Sequence, residues 1–274
     1  MRRIVKQLTL PNGETIYYID KLTAEYIYNE IYVDNIYLSH GIEVNDNDII
    51  FDIGANIGLF SRFIASQASN LEIFTFEPIP QIFEVLEANL EGIHGKIKNY
   101  NIGLGREEKE LIFYYYPRIS GDSTAVPFDW DKKVKLYLKE YEKVICEDFP
   151  AARNIPIKER KSVVEKILRH AYKSNEIDGQ IKTLSQIIEE NTIHNINLLK
   201  IDAENYEWEV LLGIKDDDWH KIQQIAMEVH QHIKSGENLL KNISDLLKQK
   251  GFTVRIGENS RETLLDVYML YGIK

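Results

Sequence analysis

The stretch Ile-Ile-Phe-Asp-Ile-Gly-Ala-Asn-Ile-Gly-Leu-Phe-Ser, residues 49–61, decides the fold. Ile49, Ile50, Phe51 and Ile53 around Asp52 predict a buried parallel strand, and Leu59, Phe60, Phe63 and Ile64 then recur at helical spacing. A tight turn between them directs the helix N-terminus back over the strand end, a geometry that suits a nucleotide. Gly54 lets the chain reverse where a side chain would collide, and Gly58 lets the first helical turn lie close to a ligand or to the sheet. Glycine turns of this kind also occur where nothing binds. The spacing Gly-x-x-x-Gly, with an acid just before it, departs from the Gly-x-Gly-x-x-Gly dinucleotide fingerprint and favours S-adenosylmethionine over NAD.

Outward from this stretch, 274 residues accommodate one α/β domain with an embedded lid and a substantial core. The net charge of −10 and sequence pI of about 5.3 argue against a nucleic-acid partner. The run Lys158 to Lys161 is short and interrupted by an acid. The single cysteine, Cys146, has no disulfide partner and no zinc-ligand spacing, as expected in a reducing compartment. No apolar run reaches the roughly 18 residues of a membrane span, so the expectation is a cytoplasmic protein without a membrane partner.

In chain order, residues 4–10 and 15–19 alternate around Pro11-Asn12-Gly13 and predict a hairpin. Leu22 to Tyr32 predicts a helix. Tyr26, Tyr28, Tyr32 and Tyr37 either line a substrate mouth or pack half-buried. Leu71 to Phe76 predicts the second parallel strand, closed by Glu77-Pro78, and Pro80 to Leu90 a helix. Glu77 stands where an acid accepts hydrogen bonds from ribose hydroxyls, or else caps that helix. A third strand near Ile97 to Ile102 puts Asn101 and Ile102 where an adenine edge and face would lie. Leu111 to Tyr116 is a further strand. Residues 117–180 are charged, with a helix near Ser162 to Tyr172, and read as a lid or substrate collar. The chain then predicts a helix over 183–190, a strand over 196–201, a helix capped by Gly213, a strand over 222–229, a helix over 238–249, and a final strand pair. The sum is one domain over 1–274: a hairpin and helix over 1–47, a Rossmann-like core over 48–116 and 181–274, and the insertion over 117–180.

Four motifs in order resemble the FkbM family of S-adenosylmethionine-dependent methyltransferases. They are Phe-Asp-Ile-Gly-Ala-Asn-Ile-Gly at 51–58, Phe-Glu-Pro at 76–78, Leu-Lys-Ile-Asp-Ala-Glu at 199–204 and Glu-Val-His at 228–230. The segments 115–124 and 214–219 look more particularly like O-methyltransferase domains of polyketide and mixed peptide synthases. Where most relatives continue the third of these motifs as Glu-Gly-Ala-Glu, this chain has Glu204-Asn205-Tyr206-Glu207, which casts doubt on a sugar substrate. The chain lacks a carrier or synthase domain, as in a freestanding enzyme or a piece excised from a synthase. The resemblance implies a class I methyltransferase fold: an open, mostly parallel seven-stranded sheet with an N-terminal hairpin and helix extension and a helical lid insertion.

It also implies S-adenosylmethionine as cofactor, S-adenosylhomocysteine as product, and metal-free chemistry. The expected cofactor set is Asp52, Gly54, Ala55, Asn56, Gly58, Glu77, Pro78, Asn101, Ile102 and Asp202. Methyl transfer to an alcohol needs alignment and a group that takes the hydroxyl proton. His230, at the end of the fifth parallel strand, is the expected base, with Glu204 or Glu228 orienting it. His232 is a competing base. Ser123 and Tyr206 are expected on the acceptor side. The expected partner is a small hydroxyl acceptor, free or presented on an acyl or peptidyl carrier, and the protein a monomer or homodimer. The competing readings are a sugar O-methyltransferase and a cofactor-binding interaction module without catalysis.

Overall fold

The computed structural model describes residues 6–147, 149–231, 238–257 and 262–274, and His232 lies outside them. The chain opens with the hairpin β1 (Lys6–Thr9) and β2 (Thr15–Tyr18), followed by α1 (Lys21–Tyr28) and a π-helical turn over Asn29–Val33. Next come β3 (Ile49–Ile53), α2 (Leu59–Gln67), β4 (Glu72–Phe76), α3 (Pro80–Leu90) and β5 (Lys96–Tyr100). Then follow β6 (Gly103–Leu104), β7 (Lys109–Tyr115), α4 (Trp130–Lys139), α5 (Tyr141–Val144) and α6 (Ile157–Ala171). The remaining elements are β8 (Asn175–Lys182), α7 (Leu184–Glu190), β9 (Leu198–Ile201), α8 (Glu207–Leu212), β10 (Gln224–His230), α9 (Leu239–Gln249), β11 (Thr253–Ile256) and β12 (Val267–Ile273).

The main sheet has seven strands in the order β11-β12-β10-β9-β3-β4-β5. The neighbouring pairs among β10, β9, β3, β4 and β5 are parallel, and β12 runs antiparallel to β10 and β11. This is the expected fold class, with β3 in the middle of the five parallel strands. Side-chain alternation along the strands divides the interior in two. Phe51, Phe74 and Leu199 pack with α7, α8 and α9, whereas Ile50, Ile73 and Leu198 pack with α1, α2 and α3. Each such fully buried side chain contributes about 1.5–3 kcal/mol of hydrophobic stabilisation.

The structure adds a feature that the sequence pattern hides. Asn175–Lys182 is a strand, and it forms a three-stranded sheet in the order β6-β8-β7, separate from the main one. β7 therefore extends this small sheet, and β8 crosses the expected boundary at residue 180. Its inward positions are Ile177, Gly179 and Ile181, and the glycine between the two isoleucines hides the alternation in the sequence. Within 117–180, α4, α5 and α6 enclose a core of their own around Tyr116, Val134, Tyr141, Ile145, Val164 and Leu168.

Gly213 caps α8 as expected, with a right-handed φ of −81°. A Cβ there would lie 2.1 Å from the Gly105 carbonyl oxygen, so packing of α8 on that loop is what requires glycine. Gly213→Ala is expected to cost about 1–3 kcal/mol by overpacking, read from the urea unfolding midpoint.

Candidate active site

The turn after β3 is fixed from three sides. Gly54 has φ +71°, and a Cβ on it would stand 1.7 Å from the Asp202 carbonyl oxygen beyond β9. Both Gly54 N and Ala55 N donate to the Phe76 carbonyl at 3.0 Å, joining the turn to the end of β4. From α3, Asn89 Nδ2 donates to the carbonyls of Ile57, at 2.8 Å, and Tyr17, at 3.0 Å, tying the turn to the N-terminal hairpin.

Beneath this turn lies a cation. Lys200 Nζ, almost wholly buried, sits 3.2 Å from Asp52 Oδ1 and 3.4 Å from Asp202 Oδ2 and donates to the Gly54 carbonyl at 2.8 Å. Burial works against its charge, but Asp52 and Asp202 outweigh burial and raise its pKa. Asp52 also accepts from Ser61 Oγ at 2.7 Å. The carboxylate expected to touch a cofactor is thus fully buried and serves as counterion to Lys200. Lys200 escaped the sequence reading because a lysine in a strand usually points to water.

Past the carboxyl ends of the parallel strands opens a cavity of about 860 Å³. Gly54, Asn56, Glu77, Pro78, Asp202, Glu204, Tyr206, Glu228, His230 and Ser123 all line it, so most of the expected site converges. Five expected cofactor residues do not. Besides Asp52, Ala55 packs on Leu86 and Leu90, and Gly58 lies against Leu90. Ile102 packs toward the core, while the exposed Asn101 donates through Nδ2 to the Glu77 carbonyl at 2.8 Å. These residues shape the walls instead of facing the cavity. Of the tyrosines, Tyr26 lines the cavity and Tyr28 stacks on Tyr32.

Glu77 combines the two roles weighed for it. Its Oε1 accepts from Ile79 N at 2.9 Å at the start of α3, and the residue also faces the cavity. Burial pushes its pKa up to about 7, against the lowering effect of backbone amides at Ile79 and Asn56.

His230 closes β10, and its orienting partner corrects the expectation. Nδ1 lies 2.7 Å from Oε1 of Glu207, a residue with no exposed surface, whereas Glu204 Oε2 lies 3.4 Å from Nε2. Glu207 Oε1 also accepts from Asn205 N at 2.9 Å, which fixes the carboxylate. Glu204 thus stands by the other ring nitrogen, and Glu228 binds elsewhere. Glu228 Oε1 is 3.0 Å and Asp202 Oδ2 3.1 Å from Tyr37 Oη. The Tyr37 hydroxyl thus donates between two acids, and burial, with Asp202 close by, raises the Glu228 pKa to about 8. Burial opposes a charge on His230, but Glu207 and Glu204 overcome it and hold the imidazole well above its ordinary value. Glu204 is raised, chiefly by burial.

The backbone explains the local sequence. Glu204 has φ 42° and Asn205 φ 77°, both left-handed. Asparagine tolerates that region better than most side chains, so it can stand where the resemblance puts glycine. The second Glu of the Glu-Gly-Ala-Glu pattern, here Glu207, was the available signal for the histidine's partner.

Among the described residues, no group of three or more His, Cys, Asp or Glu could hold a metal, and no helix is long and apolar enough to cross a membrane. The fold thus gathers a cavity at the carboxyl edge of a parallel sheet, a glycine turn, an acid at the end of the next strand and a buried His–Glu pair, the arrangement of a doubly wound α/β fold. Residues 52–254 match the Methyltransferase FkbM domain, and the chain belongs to that family of methyltransferases.

Its relatives include the 31-O-demethyl-FK506 methyltransferase FkbM of Streptomyces tacrolimicus, 30% identical over 93% of this chain and 91% of that one. The methyltransferase sdnD of Sordaria araneosa is 31% identical over 87% of this chain and 85% of its own. The AMB antimetabolite synthetase AmbE of Pseudomonas aeruginosa is 32% identical over 98% of this chain, which spans 12% of that protein.

Proposed function

We propose that this methyltransferase moves a methyl group from S-adenosylmethionine to a hydroxyl oxygen of a small secondary metabolite, a polyketide or polyketide/peptide intermediate that is free or carrier-bound. The observation that carries the reading is the Glu207–His230 pair, buried at one end and opening at the other into the cavity that Gly54 and Glu77 also line. The FkbM relative supports oxygen as acceptor, since its name places the methyl group on one.

The residues fit the cofactor on two counts: Glu77 presents a carboxylate at the end of the strand beside the glycine turn, and Asp202 Oδ1 is a buried oxygen without a hydrogen-bond partner among the described residues. When bound, S-adenosylmethionine supplies an electrophilic methyl on a sulfonium. The chain's own work is alignment and proton removal. His230 acts as base in its deprotonated form, which its raised pKa favours only as pH rises: Nε2 then accepts the acceptor hydroxyl proton, while Glu207 fixes the tautomer through Nδ1 and stabilises the imidazolium that results.

Calorimetric titration with S-adenosylmethionine tests the cofactor half. Glu77→Ala is expected to weaken binding about 10–100-fold, the loss of a charge-assisted pair of hydrogen bonds. An unchanged affinity would remove the ribose assignment. The pH dependence has a definite sign. Ribose hydroxyls donate to a carboxylate, so binding favours ionised Glu77, whose pKa near 7 leaves it mostly protonated at pH 6. Affinity should therefore rise about tenfold from pH 6 to pH 8, and Glu77→Gln should flatten this component.

A further inference from the structure

Among the ionisable residues around the cavity, acids prevail at the strand ends and cations in the lid, although Asp122 of the lid and Glu30 of the N-terminal segment also line it. Glu77, Asp202, Glu204 and Glu228 come from the strand ends of the main sheet. Arg118, Lys132, Lys133 and Lys166 come from the lid segment, in a chain whose net charge is −10. Most of these lid cations are long side chains at the rim, where Arg118, for one, donates to the His170 carbonyl at 3.1 Å. Lys133 differs. Its side chain is only 10% exposed, and Nζ lies 3.6 Å from the Phe128 ring centre and 3.9 Å from that of Tyr172. Its closest carboxylate oxygen, Asp122 Oδ2, is 3.5 Å away and already accepts from Tyr172 Oη. Asp122 is thus its ion-pair partner, but the separation exceeds the roughly 2.7–2.9 Å of a charge-assisted hydrogen bond. This one shared carboxylate leaves a three-donor ammonium, caged by aromatic faces, with capacity for a second anion. Burial lowers its pKa, against Asp122 and Glu204, which favour the charge.

A buried cation held this way is costly unless a ligand completes its coordination. We infer that the lid half of the cavity is a subsite for a carboxylate on the methyl acceptor, held by Lys133, and that the acceptor is an amphipathic hydroxy acid. The inference rests on the methyl-acceptor reading above and narrows its substrate class. A single compact ammonium with three donors matches a monoanionic carboxylate; a phosphate would call for a fork of donors such as arginine provides. The apolar neighbours Phe128, Leu136 and Val144 line the same cavity and suit the hydrocarbon part.

The test is a calorimetric comparison of 3-hydroxydecanoate with its methyl ester, probes that differ in charge at one end, on protein saturated with S-adenosylhomocysteine. The acid should bind at least about tenfold tighter than the ester. Lys133→Met should abolish the difference and Lys133→Arg retain most of it, while S-adenosylhomocysteine affinity and the unfolding midpoint stay near wild type. Equal affinities, a preference for the ester, no binding of either probe, or a preference that survives Lys133→Met overturns the subsite. S-adenosylhomocysteine binding is read in a separate titration. Its failure would remove the cofactor reading, and the acid and ester would then be compared on the protein alone.

Discussion

His230→Ala is expected to slow single-turnover methyl transfer about 10²–10⁴-fold while S-adenosylmethionine affinity changes by less than about threefold. The side chain ends β10 with one nitrogen on buried Glu207 and its ring on the cavity wall, so its removal takes away the proton acceptor and leaves the glycine turn intact. The partner substitution distinguishes catalysis from packing. Glu207 raises the His230 pKa, so Glu207→Gln should lower it and move the rising limb of the pH–rate profile to more acidic pH. The maximal rate should fall at the same time, because the amide no longer selects the tautomer or stabilises the imidazolium. A wild-type pH profile in Glu207→Gln would show that the pair is structural, and undiminished transfer in His230→Ala would remove the base assignment.

The second large effect is on stability. Lys200→Met leaves Asp52 fully buried with its Ser61 hydrogen bond but without its cation, and is expected to cost about 3–5 kcal/mol in urea unfolding. The double substitution Asp52→Asn with Lys200→Met should recover much of that loss, because both buried charges leave together. Cofactor affinity should fall in the single variant as well, since Lys200 also holds the Gly54 carbonyl at 2.8 Å. If the single and double variants are equally destabilised, the ion pair is not what holds the turn.

The core fold was legible because its signals are strong and local. Buried parallel strands carry unbroken apolar runs, as in Ile49–Ile53, and each is followed by turn chemistry that fixes the next helix. The site was legible as far as it depends on strand ends, which brought Glu77, Asp202, Glu204, Glu228 and His230 to one cavity. What escaped depends on direction and distance in three dimensions. Asp52 and Lys200 lie in strands, where a one-residue shift exchanges core for crevice. Glu207 reads as an ordinary first-turn acid of α8 until the fold folds it under His230. Asn101 has the polarity of a ligand but spends its amide on a neighbouring carbonyl. β8 and α4 are amphipathic or mixed, and Lys133 looks like surface charge until Phe128 and Tyr172 are seen around it.

The separate core enclosed by α4, α5 and α6 has an evolutionary reading. Its apolar contacts are largely internal, so substitutions inside it need little compensation on the sheet that carries Gly54 and Glu77. On the function proposed above, acceptor preference and cofactor chemistry would be housed in parts of one chain that can diversify at different rates, and exchange of residues 117–172 between relatives should change the acceptor while cofactor affinity stays the same.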